Sequence, residues 1–279
     1  PMNTKLIATD LDGTLLNEVS QISPRNLAAI RRARQLGIQV VIATGRVAEQ
    51  GRAYSREAGL EDGYLISSNG ARLERLDSGE VLFEETLSQR TAIESVKIFR
   101  EYPTLFYKVY CSAISLCEER IRPWLENTPF GQHLASIYAF AEHFVPDIIA
   151  ALQKEQLPVI KMIICSEKEA ELAEVTRRIT ALDELETTRS GITNMEFMAK
   201  GVTKGRALER LCCRLGIARE ETIALGDSYN DQAMLEFAGT GVFMANGIPQ
   251  VRAAADYVTL PNSQDGFAHA LEELVFAQL

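Results

Sequence analysis

The stretch Lys5-Leu6-Ile7-Ala8-Thr9-Asp10-Leu11-Asp12-Gly13-Thr14 decides how the rest of the chain is read. Its first half is a short apolar run with β-branched residues, as expected of a strand buried on both faces. Its second half is acidic and contains a glycine. A strand that empties into Asp10 and Asp12 brings two carboxylates to its carboxyl end, with Leu11 able to point the other way. Gly13 lets the backbone turn sharply and approach a ligand closely. A solvated acidic turn would account for a lone Asp-x-Asp. The longer string Asp-x-Asp-Gly-Thr arises by chance in roughly a few of every thousand chains of this length. Its position directly after a buried strand therefore favours a site.

Working outward, Ser23-Pro24 is a helix start, and Leu27, Ile30 and Ala33 carry one apolar face to a stop at Gly37. The apolar run Gln39 to Ala43 delivers Thr44-Gly45-Arg46. After a further helical stretch, Tyr64 to Ser67 delivers Ser68-Asn69-Gly70. Strand, helix, strand, helix, strand with continuous apolar strands predicts a doubly wound parallel sheet covered on both faces. Ala71 to Leu76 and Glu80 to Thr86 alternate about Asp77-Ser78-Gly79, which predicts a hairpin. Residues 87–188 are a more polar α/β mixture, predicted to be a separate inserted domain. The parallel-sheet idiom returns in 189–279, so the outer domain is expected to be discontinuous, 1–86 plus 189–279. There Lys204 opens a helix closed by Gly216, and the strand Thr222 to Leu225 delivers Gly226-Asp227-Ser228-Tyr229-Asn230-Asp231.

Open α/β sheets bind ligands at the carboxyl ends of their strands. Four such ends here offer Asp10 and Asp12, Thr44 and Gly45, Asn69, and Asp227, Asn230 and Asp231. Carboxylates, a hydroxyl and an amide suit a hard cation and a phosphoryl group, and Mg²⁺ favours a few carboxylates plus substrate oxygens. Lys204 adds a fixed positive charge; Lys200, four residues earlier, is the competing lysine. Arg46 could meet substrate or brace its loop, and Asn69 could meet ligand or cap a turn. His133, His143 and His269 show no ligand spacing and are expected at the surface or in packing. Tyr107, Tyr110 and Tyr138 could line a pocket, with packing of the insert as the alternative for each.

Composition bounds the rest. The 279 residues are 46% hydrophobic and carry a formal charge of −9, which fits a globular chain with a sizeable core and excludes a disordered one. Such acidity argues against nucleic acid as a partner, because polyanion binding rests on Lys and Arg neutralising phosphates. It does not exclude a small phosphate ester once a divalent cation occupies the strand ends. No run approaches the roughly 20 apolar residues of a membrane helix, so no membrane partner and a cytoplasmic location are expected. The five cysteines lack C-x-x-C spacing and are expected to be reduced packing residues. Nothing in the sequence requires more than a monomer.

The four strand-end motifs, Asp10-Leu11-Asp12-Gly13-Thr14, Thr44-Gly45-Arg46, Lys204-Gly205 and Gly226-Asp227-Ser228-Tyr229-Asn230-Asp231, resemble in order and spacing those of the haloacid dehalogenase-like phosphatases. The size and position of the insertion resemble the Cof-type subgroup with a C2 cap, and the resemblance spans nearly the whole chain. Gly247 and Arg252 depart from that pattern outside the chemistry. The resemblance implies a Mg²⁺-dependent phosphatase acting on small phosphorylated metabolites, sugar phosphates foremost, with the cap closing over the sheet. Asp10 would be the nucleophile that forms an aspartyl-phosphate, and Asp12 the general acid and base. The metal would be held by the Asp10 carboxylate, the Asp12 carbonyl and Asp227, with Asp231 behind them. Phosphate oxygens would meet the Leu11 amide, Thr44, Gly45, Lys204 and Asn230, with Arg46 and Asn69 as further candidates. A phosphomutase or phosphotransferase of the same superfamily is the alternative. A phospho-acceptor switch is disfavoured, since it lacks a second acid and is about half as long.

Overall fold

A computed structural model describes residues 3–138 and 144–278. Contacts divide the chain into an outer unit, running to Glu84 and resuming at Val202, and an inserted unit, Glu85–Gly201. The outer unit begins with β1 (Leu6–Thr9), α1 (Pro24–Gln35), β2 (Gln39–Ala43), α2 (Ala48–Glu57), β3 (Tyr64–Ser67), β4 (Arg72–Arg75) and β5 (Val81–Glu84). The insert holds α3 (Gln89–Phe99), β6 (Phe106–Cys111), β7 (Ser115–Glu118), α4 (Arg122–Asn127), α5 (Pro129–Tyr138), β8 (Phe144–Val145), α6 (Ile148–Glu155), β9 (Val159–Cys165), α7 (Glu169–Thr180), β10 (Leu185–Thr188) and β11 (Asn194–Ala199). The outer unit then adds α8 (Lys204–Leu215), β12 (Thr222–Gly226), α9 (Gln232–Phe237), β13 (Thr240–Met244), β14 (Tyr257–Thr259) and α10 (Gly266–Leu274).

The outer unit is the expected doubly wound sheet. Its eight strands lie in the order β14-β13-β12-β1-β2-β3-β4-β5. The six from β14 to β3 are parallel, and the hairpin β4–β5 extends the edge antiparallel. Alternation along β1 shows why its sequence is apolar throughout. Ile7 packs on one face with Ile30 of α1 and Phe267 of α10. Leu6 and Ala8 pack on the other with Leu208 and Leu211 of α8. The chain winds away from β1 toward β3 and, from β12, toward β14, so the β1/β12 pair is the switch point where such folds open a crevice. Helix starts follow the local chemistry: Ser23 Oγ accepts from the Asn26 amide (3.1 Å), and Thr203 Oγ1 from the Arg206 amide (3.1 Å).

The insert is an α/β unit on a six-stranded sheet ordered β10-β11-β9-β6-β7-β8. Its end differs from the sequence expectation. The sequence predicts a return to the outer unit at 189, whereas 189–201 stay with the insert, because β11 pairs antiparallel with both β10 and β9. Asn194 to Ala199 mixes polar and apolar residues without clean alternation, which hid the strand. The hairpin β4–β5 forms as expected, shorter than its alternating pattern. No helix among the described residues is long and apolar enough to cross a membrane.

Candidate active site

At the end of β1 the chain makes one wide helical turn, Leu11–Leu15, closed by the Leu16 amide donating to the Leu11 carbonyl (2.9 Å). Gly13 sits in it at φ 75°, and a Cβ there would run into the Asp227 carboxylate. Glycine is thus required twice, for the backbone angle and for the close approach. The turn leaves Asp10 buried and carries Asp12 out to a half-exposed position.

Three strand-end and helix-end groups, Lys204, Asp227 and Asp231, gather about Asp10. The Lys204 ammonium, fully buried at the start of α8, lies 2.7 Å from Asp10 Oδ1 and 2.7 Å from Asp231 Oδ1. Asp231 Oδ2 accepts from the backbone amides of Asp227 (2.9 Å) and Ser228 (3.0 Å), so both its oxygens are already engaged by the protein. Asp227 Oδ1 accepts from the Thr14 hydroxyl (3.1 Å). Asp10, Asp227 and Asp231 each present an oxygen within 4.8 Å of the others. At an effective dielectric near 20, two like charges at that spacing repel by about 3.5 kcal/mol.

One lysine does not balance three carboxylates, and the proton affinities record it. Burial, then the Asp231 charge, pushes the Asp10 carboxyl well above its ordinary range, with Lys204 only partly opposing. Asp227 is pushed up to about 7 by burial and then by Asp231, against the Thr14 bond and Lys204. Burial alone would lower the Lys204 pKa, but Asp10 and Asp231 hold it above the usual lysine value. An all-oxygen set with unneutralised negative charge fits a hard divalent cation.

The second acid is handled differently. Arg46 forks onto Asp12, Nη2 to Oδ1 at 2.6 Å and Nε to Oδ2 at 2.7 Å, and its guanidinium lies 5.3 Å from the Tyr54 ring centroid. Its bonds to Asp12 raise the Arg46 pKa against the opposing effect of burial. The pair joins the loop after β1 to the loop after β2, and the Asp12 carboxylate lies outside the three-carboxylate group.

The remaining candidates gather beside these. Thr44 is buried, its Oγ1 accepting from the Arg46 amide (3.0 Å). Asn230 Nδ2 donates to Asn69 Oδ1 (3.1 Å), and both amides lie against Gly45. The buried Asn230 Oδ1 has no hydrogen-bond partner. Ser68 and Asn69 hold positive φ (50° and 59°), a strained run for residues with side chains, and Gly70 lies directly against the Thr203 carbonyl. That segment of β3's end is therefore pressed onto the start of the helix that carries Lys204. Lys200, the competing lysine, makes an exposed pair with Glu184 in the insert.

The remaining aromatic and histidine candidates have surroundings of their own. Tyr107 is buried beneath α3, 5.3 Å from Phe99 ring to ring, and Tyr110 lies under the Lys161 ammonium at 4.8 Å. His133 is exposed and His269 partly buried. His143 and the side chain of Tyr138 lie outside the described residues. All five cysteines are free, and four are buried. Sequence reasoning did not single out the Thr14 hydroxyl, although Thr14 stands in the opening motif.

Comparison with known proteins agrees with this geometry. A family model described as haloacid dehalogenase-like hydrolase matches residues 7–271. The phosphatase YwpJ of Bacillus subtilis is 31% identical, with 97% of this chain and all of that one covered. The 5-amino-6-(5-phospho-D-ribitylamino)uracil phosphatase YcsE of the same organism is 32% identical over 98% and 97% of the two chains. Among solved structures, a haloacid dehalogenase-like hydrolase from B. subtilis superposes with a TM-score of 0.86 at 30% identity, covering 98% of this chain and 100% of the other.

Proposed function

The chain belongs to the haloacid dehalogenase-like hydrolases and is a phosphatase, and we propose that it hydrolyses phosphate monoesters of small metabolites, sugar phosphates foremost, with Mg²⁺ and through an aspartyl-phosphate. The observation that carries the proposal is the buried group of Asp10, Asp227 and Asp231 around Lys204 at the sheet's switch point. It offers more negative charge than the fold neutralises, in front of a nucleophile. The substrate class draws on the relative named for a phosphorylated ribitylamino compound.

In the proposed reaction, one Asp10 oxygen attacks phosphorus as the bond to the leaving alkoxide breaks. Asp12 gives that alkoxide its proton. Water then attacks the aspartyl-phosphate, Asp12 takes the water's proton, and phosphate leaves with Asp10 restored. Lys204 holds Asp10 by one oxygen and offsets charge gathering on the phosphoryl group. Asp231, fixed by two backbone amides, holds Lys204 in turn. Thr44, Gly45, Asn230 and the Leu11 amide would meet the phosphoryl oxygens, and the unpartnered Asn230 Oδ1 is free to take a hydroxyl from the ligand. Asp10, the Asp12 carbonyl and Asp227 would hold Mg²⁺, which would supply positive charge to the phosphoryl group and favour ionised Asp10. The free cysteines suit a cytoplasmic setting.

The test is phosphate release from a panel of monoesters with Mg²⁺ and with chelator, using Asp10→Asn as control. Release that disappears with chelator and in the variant supports the reading. Absence of release across the panel, or equal release by Asp10→Asn, sinks it, and isomerisation without release would indicate the phosphomutase alternative.

A further inference from the structure

The loop that leaves β1 has three backbone carbonyls each held by a different asparagine. Asn246 Nδ2 donates to the Gly13 carbonyl (2.9 Å), Asn26 Nδ2 to the Leu15 carbonyl (3.1 Å) and Asn262 Nδ2 to the Leu16 carbonyl (2.8 Å). Two of these amides are occupied on their other side as well. Asn246 Oδ1 accepts from the Asn262 amide (2.8 Å), and Asn26 Oδ1 from the Ala268 amide (3.1 Å). The three asparagines come from α1, from just beyond β13 and from just beyond β14, and together they tie the loop to residues 262–268 near the end of the chain.

The choice of side chain follows from the bonding each must do. A primary amide is the short group that presents a donor and an acceptor at one tip. A carboxylate of the same shape has no proton for the carbonyl and would repel it; alanine would leave it open. Such support is needed here because Asp12 (φ −72°, ψ 124°) and Gly13 (φ 75°) depart from helical angles within the turn. The Gly13 carbonyl is thus turned away from a regular helical ladder and taken over by Asn246, while the Leu15 and Leu16 carbonyls, at the end of the turn, are held by Asn26 and Asn262.

We propose that Asn26, Asn246 and Asn262 are positioning residues for the reaction. They fix the loop between the nucleophile Asp10 and Leu16, the residue that closes the turn, and so fix where Asp12 and its carbonyl stand. The segment 262–268, which carries none of the groups assigned to chemistry, is by this account a working part of the site. The inference rests on the roles proposed for Asp10 and Asp12. Misplacing a reacting group by about 1 Å can cost about a hundredfold in rate, so three bonds that set a loop carry a measurable effect.

The experiment compares the full chain with Asn246→Asp and Asn262→Asp, near-isosteric changes that remove the donor. Three quantities are read: kcat and KM on the best monoester of the panel, hydrogen exchange of the amides of residues 11–17, and the thermal midpoint. The expected result is faster exchange across 11–17 and a fall in kcat of about tenfold or more, with KM changed less than about twofold. Asn246 is exposed, so that variant is expected to keep nearly the parental midpoint and to separate positioning from folding. Parental exchange and parental kcat overturn the proposal, as does a kcat loss that only tracks the loss of folded protein. If the parent releases no phosphate at all, the phosphatase reading has failed; exchange then decides the clamp alone, and unchanged exchange in both variants overturns it.

Discussion

Glu118 in the insert and Asp10 in the outer unit are both buried carboxylates, and burial is the largest influence on each, raising its pKa. Glu118 nevertheless ends below the ordinary range. It accepts from Arg100, from the Tyr107 hydroxyl, from Arg120 Nε (2.9 Å) and from the Ile148 amide (3.1 Å). Asp10 ends well above the range, because its next largest influence is another carboxylate and one lysine cannot offset both. The insert supplies its buried charge with more donors than it needs and thereby knits α3, β6, β7 and the start of α6 together. The outer unit leaves three carboxylates sharing one lysine. A buried charge that the fold itself neutralises is architecture, whereas one that the fold leaves in excess is prepared for something that arrives.

Neutral isosteres at the two positions should therefore move stability in opposite directions. Glu118→Gln removes the buried charge that Arg100 and Arg120 share, both of them partly exposed and Arg100 still paired with Asp147, and is expected to cost about 1.5 to 3 kcal/mol, read by chemical denaturation. Asp10→Asn is expected to raise the thermal midpoint in chelator and, with Mg²⁺ present, to abolish phosphate release. If both variants lose stability alike, the contrast is wrong. Mg²⁺ sharpens the same point. At a hundred times its dissociation constant a ligand stabilises the folded state by about 2.7 kcal/mol, so added Mg²⁺ should raise the parental midpoint. Asp227→Asn should give a smaller rise and Glu118→Gln a parental one, as measured by thermal shift with and without chelator.

Acid should separate the regions as well. The folded pKa of Glu118 is depressed, so its contribution to stability is present above its unfolded value, taken as 4.5, and is lost as pH falls through the lower folded value. Between those limits the parent is expected to lose stability that Glu118→Gln no longer has to lose. Parallel acid-denaturation curves for the two proteins would remove Glu118 from the account.

The same distinction explains what the sequence disclosed. Every strand end that feeds the site lies beside a short apolar run, and residues such as Asp10, Thr44 and Asp227 must follow directly on such runs to reach the crevice. Local order thus encodes the chemistry, and the choice of Lys204 over Lys200 followed from the helix start alone. The insert was less legible. The strand β11 carries Asn194 and Glu196, whose partners come from another strand and a loop: Lys161 for Glu196 (2.7 Å) and Ser190 for Asn194 (2.7 Å). Polarity there marks satisfied burial rather than exposure, so the texture of the sequence changes at 189 although the inserted unit runs on to Gly201. Arg46 on Asp12 is a pairing across 34 residues that no periodicity reveals. Asn246 and Asn262 follow β13 and β14 just as Asp10 follows β1, so extending the inventory of strand ends to those two strands would have found them.

The smallest expected effect tests whether position alone gives a common local feature a functional role. Thr203 caps α8 through the Arg206 amide, and Ser88 caps α3 through the Thr91 amide (3.0 Å). Each bond satisfies one orphan donor at a helix start, and replacing either residue by alanine is expected to cost about 1 kcal/mol. The helix begun by Thr203 opens with Lys204, whose ammonium is fixed to two carboxylates at 2.7 Å, and the Thr203 carbonyl is pressed against Gly70. Fraying that turn therefore moves the lysine on which Asp10 depends. The first turn of α3 carries no group of the site. Equal losses of stability should thus be accompanied by a fall in kcat for Thr203→Ala and an unchanged kcat for Ser88→Ala. A fall of equal size in both would mean that activity follows overall stability rather than the placement of Lys204.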